Sequence, residues 1–248
     1  MGTITWGRDV AEVYDVTSSA MFAPSLLEPT VERLYDLAVN GPAGGAALEF
    51  AIGTGRVAVP LHARGVAVTG IELSPHMIEQ LVAKPGAVGV DVVVGDMTST
   101  RVPGEFALVY LVYNTIMNVT TLDEQVAVFA NAAAHLAPGG CFVVEVVVPQ
   151  LRSVPPGELG RVFTLEADHV GVETFDDPVG QISWSHHWMN VDGRFVGHSA
   201  PYRYIWPAEL ELMGRLAGFR LRDRWADWVG TEFDASSTSQ VAVFEKLC

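Results

Sequence analysis

The chain has 248 residues, 49% of them hydrophobic, which is enough for one substantial buried core, so a single domain over 1–248 is expected. Its 29 acidic residues outnumber 15 basic ones, a formal charge of −14, so the surface repels phosphate backbones and makes DNA and RNA poor candidate substrates. No run of about 18 apolar residues occurs, and MGTITWGRDVAEVYD carries no basic leader ahead of an apolar stretch. The expectation is a cytoplasmic protein that does not enter a membrane.

In chain order, Leu26–Val39 reads as a helix, preceded by a segment bearing Tyr, Met and Phe. From Ala46 to Val148, short β-branched runs alternate with amphipathic stretches, the pattern of parallel strands joined by crossover helices. Strands are predicted at about 46–51, 66–72, 90–95, 106–112 and 141–148, and helices at about 55–64, 74–83 and 121–136. Ser74 with Pro75 behind it, and Thr121 with Glu124 three residues on, read as helix starts. The texture changes after Val148. Segment 149–206 is expected to be an antiparallel insertion, with a hairpin of Gln181–Val191 and Arg194–Trp206 about a type I′ turn at Asp192-Gly193. A helix from Pro207 and strands at about 219–228 and 239–246 close the chain, and the basic cluster Arg215–Arg224 reads as the helix end running into a strand. Cys141 and Cys248 offer neither a disulfide framework nor metal-ligand spacing, so no metal is expected.

The run LEFAIGTGR sets Glu49, Ala51, Gly53 and Gly55 where the first strand turns into a helix, and small residues there let the backbone approach a ligand beside a helix N-terminus. Gly53, Gly55 and Ala58 also satisfy the dinucleotide fingerprint, with Glu72 at the spacing of a ribose-binding acid, which keeps an NAD-type oxidoreductase open. A non-catalytic binding domain is the third reading. VVVGDM then ends the third strand in Gly95-Asp96-Met97, and HLAPGG sets a turn before the fifth.

The ordered set Glu49–Arg56, Glu72, Gly95-Asp96-Met97 and Leu136–Gly140 resembles the class I S-adenosylmethionine-dependent methyltransferases over roughly 46–148. That resemblance implies a Rossmann-like α/β sheet with helices on both faces, an antiparallel β insertion after the fifth strand, and S-adenosylmethionine as cofactor. It divides the domain into an N-terminal cap and first helix (1–45), a cofactor-binding core (46–148), a substrate cover (149–206) and a completion of the sheet (207–248). By the same resemblance, Glu49, Ala51 and the Gly53-Thr54-Gly55-Arg56 loop hold the amino acid part of the cofactor. Glu72 holds the ribose, and Asp96, Leu73 and Met97 the adenine, with Met77, Gly95, Val112 and Tyr113 completing the wall. Two departures are Ala51, where glycine is usual, and Glu49 in place of aspartate.

The segment AEVYDV resembles the Tyr-Asp stretch with which small-molecule members cover the cofactor, so Tyr14 is expected to face it or else to pack on the first helix. A small-molecule substrate, N- or O-methylated by in-line displacement and drawn from secondary metabolism, follows from this layout, with a weaker resemblance to amino-sugar N-methyltransferases. A homodimer is left open. A two-residue turn pairs His187 with His198 and puts Met189, Tyr202 and Tyr204 on their face, while Trp184, His186, Trp188 and Arg203 share the other. His187, His198 and Tyr14 are therefore the candidate catalytic groups, since an acceptor that arrives protonated needs a base, and Asn114, His186, Tyr202 and Arg203 the candidate substrate contacts. Half-buried strand residues are the alternative reading of the histidines.

Overall fold

The computed structural model describes residues 7–191 and 193–247. Parallel strands β1 (Ala47–Phe50), β2 (Val68–Glu72), β3 (Asp91–Val94), β4 (Phe106–Leu111) and β5 (Leu136–Val147) alternate with helices α3 (Ala58–Ala63), α4 (Pro75–Val82) and α5 (Leu122–His135). Helices α1 (Arg8–Thr17) and α2 (Pro24–Val39) precede them. Strands β10 (Phe219–Trp225) and β11 (Ser239–Lys246), entered through α6 (Pro207–Leu216), complete a seven-stranded sheet ordered β10-β11-β5-β4-β1-β2-β3. β11 runs antiparallel to both of its neighbours. The strand order reverses between β1 and β4, and a Rossmann-like α/β sheet of this kind binds ligands at the carboxyl ends of the strands beside that switch point.

Local sequence accounts for these elements. β1 and β4 are buried along their whole length because helices cover both faces of the sheet. Val31, Leu34 and Leu37 of α2 and Leu61 of α3 fill one side, while Val128 and Phe129 of α5 and Leu210 and Met213 of α6 fill the other. Phe129 meets Phe142 and Phe244 edge-on at centroid distances of 5.1 and 5.3 Å, so this face is locked by ring geometry as well as by area. The Ser74 Oγ accepts from the Met77 N–H and the Thr121 Oγ1 from the Glu124 N–H, so both expected helix starts are capped. Among the described residues, no helix is long and apolar enough to cross a membrane.

The start of the fifth strand departs most from expectation, while α3 begins at Ala58 and β10 ends at Trp225, each three residues inside its expected bound. β5 starts at Leu136, which pairs with Phe106, and the register then slips before Leu108 meets Cys141. The Leu136–Gly140 turn is thus a bulged strand entry. Gly140 is needed there because a Cβ would lie 3.0 Å from the carbonyl oxygens of Ala107 and Ala137.

The 149–206 segment forms a second, antiparallel sheet ordered β6 (Gly160–Leu165), β7 (His169–Asp177), β8 (Ile182–Val191), β9 (Arg194–Arg203). The expected hairpin register is observed: Val191 pairs with Arg194, His187 with His198 and Ser183 with Tyr202. Gly193 has φ 81°, as the turn requires, while Asp192 lies outside the described residues.

Candidate active site

At the carboxyl edge, β1 carries Glu49, only 3% exposed, which accepts at Oε2 from the Tyr110 hydroxyl of β4 at 2.9 Å. Burial pushes its carboxyl up to about 8, against the opposing pull of the Tyr110 hydrogen bond and the Arg56 charge. A carboxyl so placed gains most from a cation that enters and ionises it. The loop behind it is left-handed at Ala51 (φ 51°), Gly53 (φ 57°) and Gly55 (φ 78°). A Cβ on Gly55 would fall 2.2 Å from Leu81 Cδ1, so the loop reaches α4 only as glycine. Ala51 accepts the strain that a glycine would avoid.

Glu72 ends β2, and its two oxygens brace the same loop: Oε2 accepts from the Gly53 N–H at 2.9 Å and Oε1 from the Ser74 N–H at 2.8 Å. Burial raises its pKa and these amide bonds oppose the rise. Three amides, those of Ser74, Gly53 and Leu73, bond this carboxylate, whose two oxygens offer about four lone-pair sites, so it can still accept from a hydroxyl of a vicinal diol without surrendering the loop. Just past the end of β3, Asp96 is exposed and its Oδ1 accepts from both the amide and the hydroxyl of Thr98. Beside it Met97 is buried, its carbonyl accepting from Asn131 Nδ2 at 2.8 Å, while Leu73 stands 47% exposed.

The N-terminal helix α1 closes over this edge. Asp15 accepts from the Thr54 hydroxyl at 2.6 Å and pairs with Lys84, whose ammonium also donates to the Thr54 carbonyl at 2.7 Å. Tyr14 therefore hangs beside Arg56 and Tyr113. The Arg56 guanidinium lies 5.4 Å from the Tyr113 ring centroid. Tyr14, Glu49, Ala51, Gly53, Thr54, Arg56, Val112, Tyr113 and Thr115 line one cleft. Burial raises the hydroxyl pKa values of Tyr14, Tyr113 and Tyr202, and the Tyr113 hydroxyl adds to the rise at Tyr202. β9 packs against the Thr115–Asn118 turn just after Tyr113, which brings Tyr202 near this cluster.

The other hairpin residues are held elsewhere. Arg203 is 5% exposed; it donates to Gln125 Oε1 and pairs with Glu209 Oε1 at 2.7 Å, which turns it away from the cleft and into the α5–α6 junction. Asn114, left-handed at φ 61°, spends its Oδ1 on the Val147 N–H at 2.7 Å. His186 sits between Trp184 and Trp188 and is bound to Ser199 and Thr174. His187 has its Nδ1 2.9 Å from His169 Nε2 and its Nε2 2.9 Å from Ser185 Oγ, and burial lowers its pKa. His198 is exposed. Neither His187 nor His198 lines the cleft; His198 lies four residues, about 13 Å of strand, from Tyr202. Among the described residues no three His, Cys, Asp or Glu side chains gather as a metal site requires. The sequence reading missed Asp15, Lys84 and Glu145. The signal for Glu145 was present, as the only charge in a strand of twelve residues.

A seven-stranded sheet with this reversal, an acid at the carboxyl end of each of its first three strands and a left-handed glycine loop defines a Rossmann-like nucleotide-binding enzyme fold. Residues 47–140 match the model of the methyltransferase domain. The CcbJ methyltransferase of Streptomyces caelestis is 32% identical, with 89% of each chain covered and a TM-score of 0.77. The chain belongs to this methyltransferase family. The cypemycin N-terminal methyltransferase of a Streptomyces species is 24% identical over 95% of both chains. SAM-bound CalS10 of Micromonospora echinaspora, an amino pentose methyltransferase, shares the fold at 19% identity and a TM-score of 0.67, over 89% of this chain and 90% of that one.

Proposed function

We propose that this chain methylates a nitrogen or oxygen of a small molecule using S-adenosylmethionine, with 1–248 working as one domain and 149–206 as the substrate cover. The observation that carries this reading is the row of acids along one edge. Glu49, Glu72 and Asp96 stand at the carboxyl ends of β1, β2 and β3, with the left-handed loop between the first two. This row fits the donor group by group. Glu49, buried beside Arg56 and poor in solvent, suits an ammonium; Glu72 suits a ribose diol; Asp96 beside Met97 and Leu73 suits an adenine. When bound, the donor supplies an electrophilic methyl on a sulfonium.

The chain's part is to hold the acceptor in line and keep water out, and this needs no covalent intermediate. Tyr14, Tyr113 and Tyr202 keep their protons at neutral pH, as phenols ordinarily do, and burial raises their pKa values further, so they orient an acceptor as donors and do not deprotonate it. The cover's first candidate to take a proton is His187, which lies off the cleft beside His169 and Ser185, so it serves only an acceptor that extends from the cleft along β8–β9; burial, which lowers its pKa, keeps the ring unprotonated but makes it a weaker base. His198 across the strand pair is the second. The similarity to an amino pentose methyltransferase and to the cypemycin N-terminal methyltransferase supports an amine acceptor. Thermal unfolding with S-adenosylmethionine, S-adenosylhomocysteine or NAD tests the reading, since a ligand of the folded state raises the midpoint. The first two should raise it and NAD should not; stabilisation by NAD alone would favour an oxidoreductase.

A further inference from the structure

Two adjacent residues after β4 hold a left-handed backbone, Tyr113 at φ 57° and Asn114 at φ 61°. Asparagine tolerates this region, but a tyrosine in it is strained. Such strain persists only where surrounding groups over-determine it, and here those groups are on β5. Glu145 Oε2 accepts from the Tyr113 N–H at 2.8 Å, and the Glu145 carbonyl accepts from the Asn114 N–H at 3.1 Å. The Val147 N–H closes the bend by donating to Asn114 Oδ1. Glu145 is the one charged residue of β5, so an apolar side chain would serve the strand as well. Among these contacts, its carboxylate is the only side chain that meets the Tyr113 amide. The bend sets the Tyr113 ring beneath Arg56, on the cleft that Tyr14 and Glu49 also line.

We propose that Glu145 is a positioning residue of this site: its carboxylate fixes Tyr113 in the left-handed backbone so that the ring, with Arg56, forms a wall of the donor cleft. What the cleft binds rests on the function proposed above; the restraint itself does not.

The test uses the full chain as parent, Glu145→Ala, Glu145→Gln, Tyr113→Gly and the double variant Glu145→Ala/Tyr113→Gly. Two measurements are made: amide hydrogen exchange over 110–116 by mass spectrometry, and calorimetric binding of S-adenosylmethionine. The amide oxygen of glutamine still accepts from Tyr113, so Glu145→Gln should exchange like the parent and bind within about threefold of it. Glu145→Ala should exchange at least tenfold faster and bind about tenfold or more weakly, the scale of losing a charge-assisted hydrogen bond. Tyr113→Gly should weaken binding similarly, and the double variant should bind no worse than Tyr113→Gly alone, because Glu145 acts through that ring. Parent-like exchange in Glu145→Ala, additive losses in the double variant, or a glutamine as damaging as alanine would each overturn the proposal. A parent that fails to bind S-adenosylmethionine would sink the functional reading, and exchange would still decide the role of Glu145. If Glu145→Ala does not fold, Glu145→Met, which keeps the stem and removes the acceptor, takes its place.

Discussion

Glu49→Gln is the sharpest perturbation of the cleft, because it keeps the shape of the side chain and removes its titration. Burial raises the Glu49 carboxyl from its ordinary 4.5 to about 8. The sign follows from proton counting. Between pH 4.5 and 8 the folded chain keeps a proton that the unfolded chain has lost, so stability falls as pH rises through that window and levels off above it. At roughly 1.4 kcal/mol per pH unit the full interval corresponds to about 5 kcal/mol, of which about 3 is reached by pH 7. The glutamine of this variant should still accept from Tyr110 but leaves its amide N–H groups without a carboxyl's partners, a constant offset that does not depend on pH. The informative quantity is therefore the difference between parent and variant across pH, measured by urea unfolding in the absence of ligand from about pH 5 to 8.5, the window in which the buried carboxyl titrates. It should shift by several kcal/mol in the variant's favour toward alkaline pH. Parallel profiles would refute the burial argument. Donor binding should show the converse: S-adenosylmethionine should bind the variant at least tenfold more weakly, because its ammonium loses the carboxylate it would ionise.

Glu72→Ala should weaken S-adenosylmethionine binding by roughly 1–3 kcal/mol by calorimetry, and unchanged affinity would remove Glu72 from the ribose site. Gly55→Ala forces a side chain into φ 78° and against Leu81, so urea unfolding should report a loss of about 2 kcal/mol or more, against a null result if the loop can shift. Arg203→Met strands Glu209 and Gln125 at a buried junction and should cost about 3 kcal/mol of stability while donor affinity stays near the parent's, whereas a loss of affinity at unchanged stability would return Arg203 to the substrate site. Single-turnover rates of His187→Ala across pH should fall about 10²–10⁴-fold if that ring takes the acceptor's proton. Parent-like rates at every pH would leave it to strand packing.

The central sheet was legible because β1, β2 and β3 are short apolar runs that end at or near Glu49, Glu72 and Asp96, and because Ser74 and Thr121 mark the starts of α4 and α5. The hairpin register was legible for a similar reason, since Asp192-Gly193 admits only one pairing of the flanking strands, and His187 does meet His198. What could not be read was which partners each side chain finds across the fold. Arg203 looked available for substrate because alternation gives a face and not a neighbour; Glu209, in the first turn of α6, claims it. Asp15 and Lys84 are 69 residues apart and meet only after α1 lies over the glycine loop. Glu145 stood out as a charge in an apolar strand, yet its role emerges only when the left-handed Tyr113 is seen beside it.

The most direct measurement of the central claim is calorimetric titration of the parent chain with S-adenosylmethionine and, in parallel, with NAD, repeated on Glu72→Ala. Saturable 1:1 binding of S-adenosylmethionine, no heat from NAD and a clearly weakened Glu72→Ala is the predicted result. Saturable binding of NAD with none of S-adenosylmethionine would contradict it.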